Sequence, residues 1–483
     1  MTGCVEIQSV LRRIVLGMIG AGVLVYGGTV AWLTRFDHEG QPRLSAEGEV
    51  DPQTKAAFAV MAEARCDYCH AKGTSLPFYF NLPVAKRIMQ RDLTQGLRHF
   101  RIEPVFDAMQ QGKAPTQEQL SRIEEVIRQN RMPPMQYLAL HWHAHLSEAQ
   151  RQTVLDWINT TRAKNWASPD VAEAFRSEPI QPLPESLPVN AEKVALGQRL
   201  FFDKHLSGND TLNCASCHDL NKGGVDNLVT ATGINGQKGP INVPTVYNSV
   251  FNVKQFWDGR ANDLADQAAG PVMNPLEMGS HDWGLVAHKL EQNPEYVESF
   301  GQIYPGQAIG KDTITDAIAE YEKTLITPDS RFDLYLKGDK TAITAQEKRG
   351  YELFRSIGCA SCHNGPAVGG GAFEVMGLEG DYFGHRGGAL TDADKGRFAE
   401  TNDPLDQHRF KVPLLRNVEL TGPWFHDGSV KTLKEAVRQM AIYQTPDKTI
   451  SDRDVDDITA FLRTLTGRYQ GKSLAPEKEN VAN

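Results

Sequence analysis

Three short stretches constrain this chain more than anything else in it. Cys66-Asp67-Tyr68-Cys69-His70, Cys214-Ala215-Ser216-Cys217-His218 and Cys359-Ala360-Ser361-Cys362-His363 all read Cys-x-x-Cys-His. Of seven cysteines, six fall inside these motifs, leaving only Cys4. Unrelated structural cysteines would not sort this way. A zinc site needs four ligands, usually two such pairs together. Here the pairs lie far apart, and each is followed at once by histidine. Disulfides give no reason for the histidine. The pattern is the attachment signature of a c-type haem, in which two thiols add to the vinyl groups and the histidine ligates iron. Three covalent c-type haems are expected. Their anchors are Cys66, Cys69, Cys214, Cys217, Cys359 and Cys362, and their proximal ligands His70, His218 and His363. Cys4 is expected to be inert.

Covalent haem attachment suits an exported protein, and the N-terminus agrees. Ile14 to Leu33 is an uncharged run of 20 residues. At about 1.5 Å per residue a helix there spans about 30 Å, enough for a bilayer core. Arg12 and Arg13 precede the run, so the positive-inside rule keeps the short N-terminus in the cytoplasm and places the body outside. A cleaved signal peptide is the competing reading, but the run is long for one and no clear small-x-small site follows it. The expectation is a single-pass inner-membrane anchor with the body in the periplasm. The formal net charge of −9 argues against nucleic acid as a partner.

The chain of 483 residues divides into an anchor (1–36), a first haem domain (37–168), a proline-rich linker (169–189), a second haem domain (190–341) and a third (342–483). Asn190 is placed to cap the helix that opens the second. Gly197-Gln198-Arg199-Leu200-Phe201 precedes the second motif and Gly350-Tyr351-Glu352-Leu353-Phe354 the third, so G-x-x-L-F repeats. The repeat implies a duplicated, pseudo-symmetric pair of cytochrome c-like domains. The first domain lacks this cue. Strand signals are few, and the fold class is mainly α.

The sixth iron ligand decides what each haem does: methionine suits electron transfer, an open position suits binding of a small molecule. Leu433, Val437 and Met440 share one helical face after the third motif. Met440 is a candidate ligand, although a methionine on such a stripe is more often core filling. In the first domain Met132 and Met135 flank the helix break at Pro133-Pro134, with His141, His143 and His145 as rivals. Met132 is favoured. After His218 no histidine occurs until His281. Peroxide cleavage at an open iron needs a nearby base, and Glu277, beside Pro275, Leu276 and Met278, is a candidate.

From about Asn190 to Thr466 the chain resembles the bacterial di-haem cytochrome c peroxidases. The matching segments are Leu206-Ser207-Gly208-Asn209, Gly239 to Thr245, Phe256-Trp257-Asp258-Gly259-Arg260, Gly270 to Met278, Leu415-Arg416-Asn417 and Thr421 to Gly428. With the extra haem domain and anchor, the whole resembles the membrane-bound tri-haem branch, which includes quinol peroxidases. The resemblance implies Glu277 as acid–base residue, Gln267 in the distal pocket, Trp257 between the haems and Met440 as sixth ligand of the electron-transferring haem. It also implies one Ca²⁺ at Asn242, Thr421 and Pro423. Where many members carry a distal histidine, this chain has Ile234, which cannot ligate iron. The peroxidatic haem is therefore expected to be open even when oxidised. The implied activity is reduction of hydrogen peroxide to water with electrons from quinol or a small cytochrome c. The rivals are a MauG-like oxidase of a protein substrate and a non-enzymatic multihaem electron relay.

Overall fold

The computed structural model describes residues 2–44, 50–446 and 449–476. The chain forms two compact units, Met1–Gln119 with Ile123–Thr160, and Leu120–Arg122 with Thr161–Asn483. Both are helical. Among the described residues, the strands form two short antiparallel ribbons, Phe373–Val375 with Arg409–Lys411 and Arg468–Tyr469 with Lys472–Ser473.

In the first unit the apolar run lies on one unbroken helix, Thr2–Gly40. Its stretch Val10–Gly40 is long and apolar enough to cross a membrane. The end of this helix is part of the folded unit, since Val30, Leu33 and Asp37 are buried. Asp51 caps the helix Pro52–Glu63, accepting from the amides of Gln53 and Thr54, with Pro52 preset for the first turn. That helix delivers the chain to Cys66. Gly96, on the helix Pro83–His99, lies against the motif itself: a Cβ there would stand 2.3 Å from the Cys69 carbonyl oxygen. A Thr116/Gln119 capping box opens the helix Gln117–Arg128, which ends before Pro133-Pro134.

In the second unit the G-x-x-L-F repeat acquires a physical reason. Asn190 accepts from the amides of Glu192 and Lys193 and starts the helix Ala191–Phe201, which packs on Lys311–Glu322. A Cβ on Gly197 would stand 1.8 Å from the Ala317 carbonyl oxygen. The helices Ala345–Ser356 and Asp452–Arg463 pack the same way, and a Cβ on Gly350 would stand 1.9 Å from the Asp457 carbonyl oxygen. Each glycine lets two backbones touch. The Leu-Phe that follows feeds a core: Leu200 and Phe201 with Ile314, Ile318 and Tyr321 in one half, Leu353 and Phe354 with Ile458 and Phe461 in the other. The proline-rich stretch 169–189 is extended as its prolines require, but it is no bare tether. Ile180, Gln181 and Leu183 are buried, and the Gln181 carbonyl accepts from the Arg416 guanidinium at 3.0 Å.

Candidate functional site

Each Cys-x-x-Cys-His motif forms one tight helical turn, and none of the six cysteines of the three motifs is in a disulfide. The histidines next to them are half-buried with their rings withdrawn from water, and this desolvation lowers the pKa of all three, that of His363 to about 4. They are therefore neutral imidazoles. His70 Nδ1–H donates to the Phe100 carbonyl at 3.0 Å, and His218 Nδ1–H to the Gly224 carbonyl at 3.2 Å. A carbonyl only accepts, so the tautomer is fixed and Nε2 is left as a metal ligand. His363 Nδ1 is buried facing the carbonyls of Val368 and Pro413, without a hydrogen bond of good geometry. Two adjacent thiols and a neutral imidazole oriented through its far nitrogen fit a covalently attached haem at each motif.

The chain around the second motif brings several of the candidate residues near one another. The helix Leu264–Met273 carries half-buried Gln267 and then turns through Asn274 into Glu277. The Glu277 carboxyl is largely withdrawn from water, which raises its pKa. The Arg260 cation and a 2.8 Å hydrogen bond from Asn274 Nδ2 to Oε1 oppose that rise. Its charge is felt at the Cys217 thiol, so it lies on the side of the second motif. The 232–236 loop is seated against it. Ile234 N–H donates to the Glu277 carbonyl at 2.8 Å, and a Cβ on Gly233 would stand 1.9 Å from the Leu276 carbonyl oxygen. Ile234 itself is half-buried, its side chain over Gly279. Arg260, to which the sequence reading gave no role, stacks on Phe256 at 3.6 Å and supplies the cation.

Trp257 is fixed from both sides. Its indole N–H donates to the Asn242 carbonyl at 2.9 Å, and its ring meets those of Phe410 and His426 edge-on. Asn242 donates its backbone amide to the His426 carbonyl and its side-chain amide to the carbonyls of Leu228 and Val229. This turns Oδ1 the other way, as a hard-cation ligand requires. Asn227, from the same segment, donates to the carbonyls of Leu420 and Gly422, which flank Thr421; the Thr421 hydroxyl donates to Val418. Met440 does not join the core that takes Leu433 and Val437. It packs with Trp257, Tyr443 and Phe425 around Met376, Tyr382, Phe383 and Phe410. The stripe on the helix Leu433–Gln444 thus splits between two environments.

In the first unit Met132 is half-buried, Met135 is 81% exposed and His145 is exposed. Both ring nitrogens of His141 are hydrogen-bonded, to Asp37 and Tyr79, and His143 sits 3.2 Å from the same aspartate.

Two further repeats escaped the sequence reading. Val243-Pro244-x-x-x-Asn248 matches Val412-Pro413-x-x-x-Asn417, and Phe256-Trp257-Asp258-Gly259 matches Phe425-His426-Asp427-Gly428. Asn248 and Asn417 both adopt φ near +60°, as do Phe256 and Phe425. Trp257 and His426, facing each other across the pair, therefore hold equivalent positions. His426 Nε2 lies 2.7 Å from Asp394, which Arg386 also binds.

These features define a helical multihaem c-type cytochrome with a carboxylate beside its second attachment motif. Comparison with known proteins narrows the class. The di-haem cytochrome c peroxidase model matches residues 191–341, a haem-binding domain model 26–160 and a cytochrome c model 347–466. The chain is 45% identical over 462 residues to the cytochrome c peroxidase Ccp of Escherichia coli K12, spanning 96% of this chain and 98% of that one. It is 44% identical over 320 residues to the cytochrome c551 peroxidase of Nitrosomonas europaea, covering 66% of this chain and 92% of that protein. A solved structure of a MauG-like protein associated with microbial copper homeostasis superposes with a TM-score of 0.54 at 29% identity. It covers 62% of this chain and 96% of that one. The chain belongs to the di-haem cytochrome c peroxidase family. It is a haem-dependent peroxidase, and hydrogen peroxide is its substrate.

Proposed function

We propose that the chain is an uncleaved, periplasm-facing membrane peroxidase with three c-type haems, drawing electrons from quinol or a small cytochrome c. The observation that carries the reading is the Glu277 carboxyl, shielded from water beside the second motif and tied through its backbone to Ile234. Bound haem supplies the redox chemistry, one electron at a time; the protein supplies ligation, orientation and proton delivery. Glu277, as carboxylate, would take a proton from one oxygen of peroxide and return it to the other, which departs as water. Gln267 and Arg260 flank that movement. Ile234 carries no atom that could ligate a haem bound at His218. His363 and Met440 would hold the electron-transferring haem, with Trp257 between the paired domains, and His70 with Met132 would hold the entry haem. The packing of half-buried Met440 outside the stripe's core, and the hydrogen bonding of His141, support those two methionines as ligands. Asn242, Thr421 and Pro423 would hold Ca²⁺ between the paired domains.

An uncleaved anchor is supported by Val30, Leu33 and Asp37, which are buried in the first unit although they belong to the apolar helix. Cleavage would remove part of that unit's core. Full-length protein in nanodiscs, assayed with a short-chain quinol and with reduced cytochrome c, tests the donor. Glu277→Gln should slow peroxide reduction with either by about 10²–10⁴-fold. The similarity to a MauG-like protein favours, as second reading, oxidation of a protein substrate. Tyrosine on the second iron would fit it, and Tyr443 lies one turn from Met440. Low-temperature spectra of the parent and of Met440→His separate the two.

A further inference from the structure

The first unit holds a polar cluster that the peroxidase reading does not use. It forms where the end of the helix Thr2–Gly40 meets the 137–143 segment. Asp37 is 1% exposed, only four residues after Leu33 ends the uncharged run. A carboxylate taken out of water needs partners. The Tyr68 hydroxyl donates to one of its oxygens at 2.5 Å, and His141 Nδ1–H to the other at 2.5 Å. His143 Nε2 is 3.2 Å and the Arg65 guanidinium 3.9 Å away. His141 is itself 1% exposed, and its Nε2 lies 2.6 Å from the Tyr79 hydroxyl. Because the carboxylate only accepts, Nδ1 carries the hydrogen and Nε2 accepts from Tyr79. The chain Tyr79, His141, Asp37 is therefore directional. A proton leaving Tyr79 arrives at Nε2, and the imidazolium so formed is held by Asp37. Tyr137 stacks on His141 at 4.0 Å and 9°, fixing its plane.

The surroundings of this chain differ at its two ends. Inward, it borders the haem attachment: Tyr68 lies inside the first motif, and the thiols of Cys69 and Cys66 are felt at the hydroxyls of Tyr79 and Tyr137. Outward, half-buried Tyr79 adjoins Phe78, which is 53% exposed and packs edge-on with Trp32 at 5.1 Å. Trp32 is itself exposed, on the helix long enough to cross a membrane. A metal is the alternative occupant of Asp37, His141 and His143, whose ligand atoms lie close together. It would have to displace hydrogen bonds already made by both nitrogens of His141 and both oxygens of Asp37.

We infer that this is a quinol-oxidising site, with Tyr79 and His141 as its proton acceptors and the exposed side chains of Phe78 and Trp32 as the apolar contact for the quinol ring. The inference rests on the quinol branch of the proposed function. A hydroquinone loses two O–H protons and two electrons to become a quinone. Each proton passes to Tyr79 as Tyr79 gives its own to His141 Nε2; the imidazolium gives its Nδ1 proton to Asp37, and half-buried His143, 3.2 Å from that carboxylate, takes it on to water. The two electrons enter at the first haem motif. One hydrogen peroxide consumes those two electrons and two protons, giving two waters. A cytochrome donor moves electrons without protons and gives such a relay nothing to do.

The test uses full-length holoprotein in phosphatidylethanolamine and phosphatidylglycerol nanodiscs with decylubiquinol. Tyr79→Phe keeps the ring and removes only the hydroxyl. His141→Asn keeps an N–H toward Asp37 and removes the acceptor. In each, the ratio of quinol-driven to one-electron-dye-driven haem reduction, followed by stopped flow, should fall about a hundredfold. Decylubiquinone binding, measured by calorimetry, should stay within about threefold for Tyr79→Phe. The solvent deuterium effect on the quinol-driven step should change in both variants, which a merely structural role would not produce. His141 is faced by Asp37, Tyr68, Tyr79, Tyr137 and His143, so the pH profile of that step reports on the whole cluster. An unchanged ratio in both variants of a protein that does oxidise quinol overturns the inference and leaves the quinol reading standing. A parent that uses cytochrome c but no quinol overturns both.

Discussion

Ile234 donates its backbone amide to the carbonyl of Glu277 at 2.8 Å. The loop that carries Ile234 and the residue that carries the carboxyl are thus tied together through the backbone. Ile234→His restores a ligand on that loop. We expect the oxidised variant to gain a six-coordinate low-spin signal, with peroxide reduction starting only after prior reduction. The oxidised parent should show an open high-spin haem and react at once. Electron paramagnetic resonance and rapid-mixing assays on both proteins decide it. An oxidised parent with low-spin haem alone would refute the open site.

The pH profile should report Glu277 directly. Burial raises its carboxyl, while Arg260 and Asn274 hold it back. The base would work only when ionised, so peroxide cleavage should fall as pH drops through this raised value. Glu277→Gln should cost about 10²–10⁴-fold in the cleavage step. Arg260→Ala removes the cation that favours the carboxylate and should move the acid limb to higher pH, leaving the plateau rate within about tenfold. A limb that stays in place in Arg260→Ala sinks the assignment.

Much of this molecule was legible in the chain because covalent chemistry leaves short, rigid signatures. Three Cys-x-x-Cys-His motifs, the apolar run and G-x-x-L-F each have a single physical cause, and the helix crossings at Gly197 and Gly350 show that cause for the repeat. The second and third repeats were harder to see. Their shared feature is backbone conformation, φ near +60° at Asn248, Asn417, Phe256 and Phe425, and side-chain periodicity does not report it. The environment of Asp37 was invisible for a different reason. Its partners Tyr68 and His141 lie 31 and 104 residues away along the chain, and Tyr79 joins only through His141. Proline content at 169–189 announced an extended path, yet not that Ile180 and Leu183 would be buried along it.

Glu322 ends the helix Lys311–Glu322, and burial alone pushes its carboxyl from 4.5 up to about 8. The folded protein therefore holds this proton more tightly than the unfolded chain. The resulting stability is complete below about pH 4.5 and is lost as pH rises through about 8. The loss has an upper limit of roughly 5 kcal/mol. Glu322→Gln cannot ionise. Its melting temperature should match the parent's at pH 5 and exceed it at pH 9. Equal curves at both values would mean that the carboxyl is ordinary.

Thr327 couples the two halves of the second unit. Asn248 and Asn417, equivalent residues of the repeat, donate their side-chain amides to its hydroxyl at 2.8 and 3.0 Å, and all three are buried. Four residues before each asparagine stands Pro244 or Pro413, whose carbonyl faces His218 or His363. The hydroxyl thus anchors both loops behind both proximal histidines. Thr327→Val keeps the shape and leaves two buried amides without their acceptor, at about 1–3 kcal/mol each. The melting temperature should fall by several degrees. Because one hydroxyl serves both loops, the Soret and ligand-field bands of the His218 and His363 haems should shift together. Asn248→Ala should disturb the His218 haem more than the other, and Asn417→Ala the reverse. Equal disturbance of both haems by either single asparagine variant would show that the coupling runs through the whole core instead of through this hydroxyl.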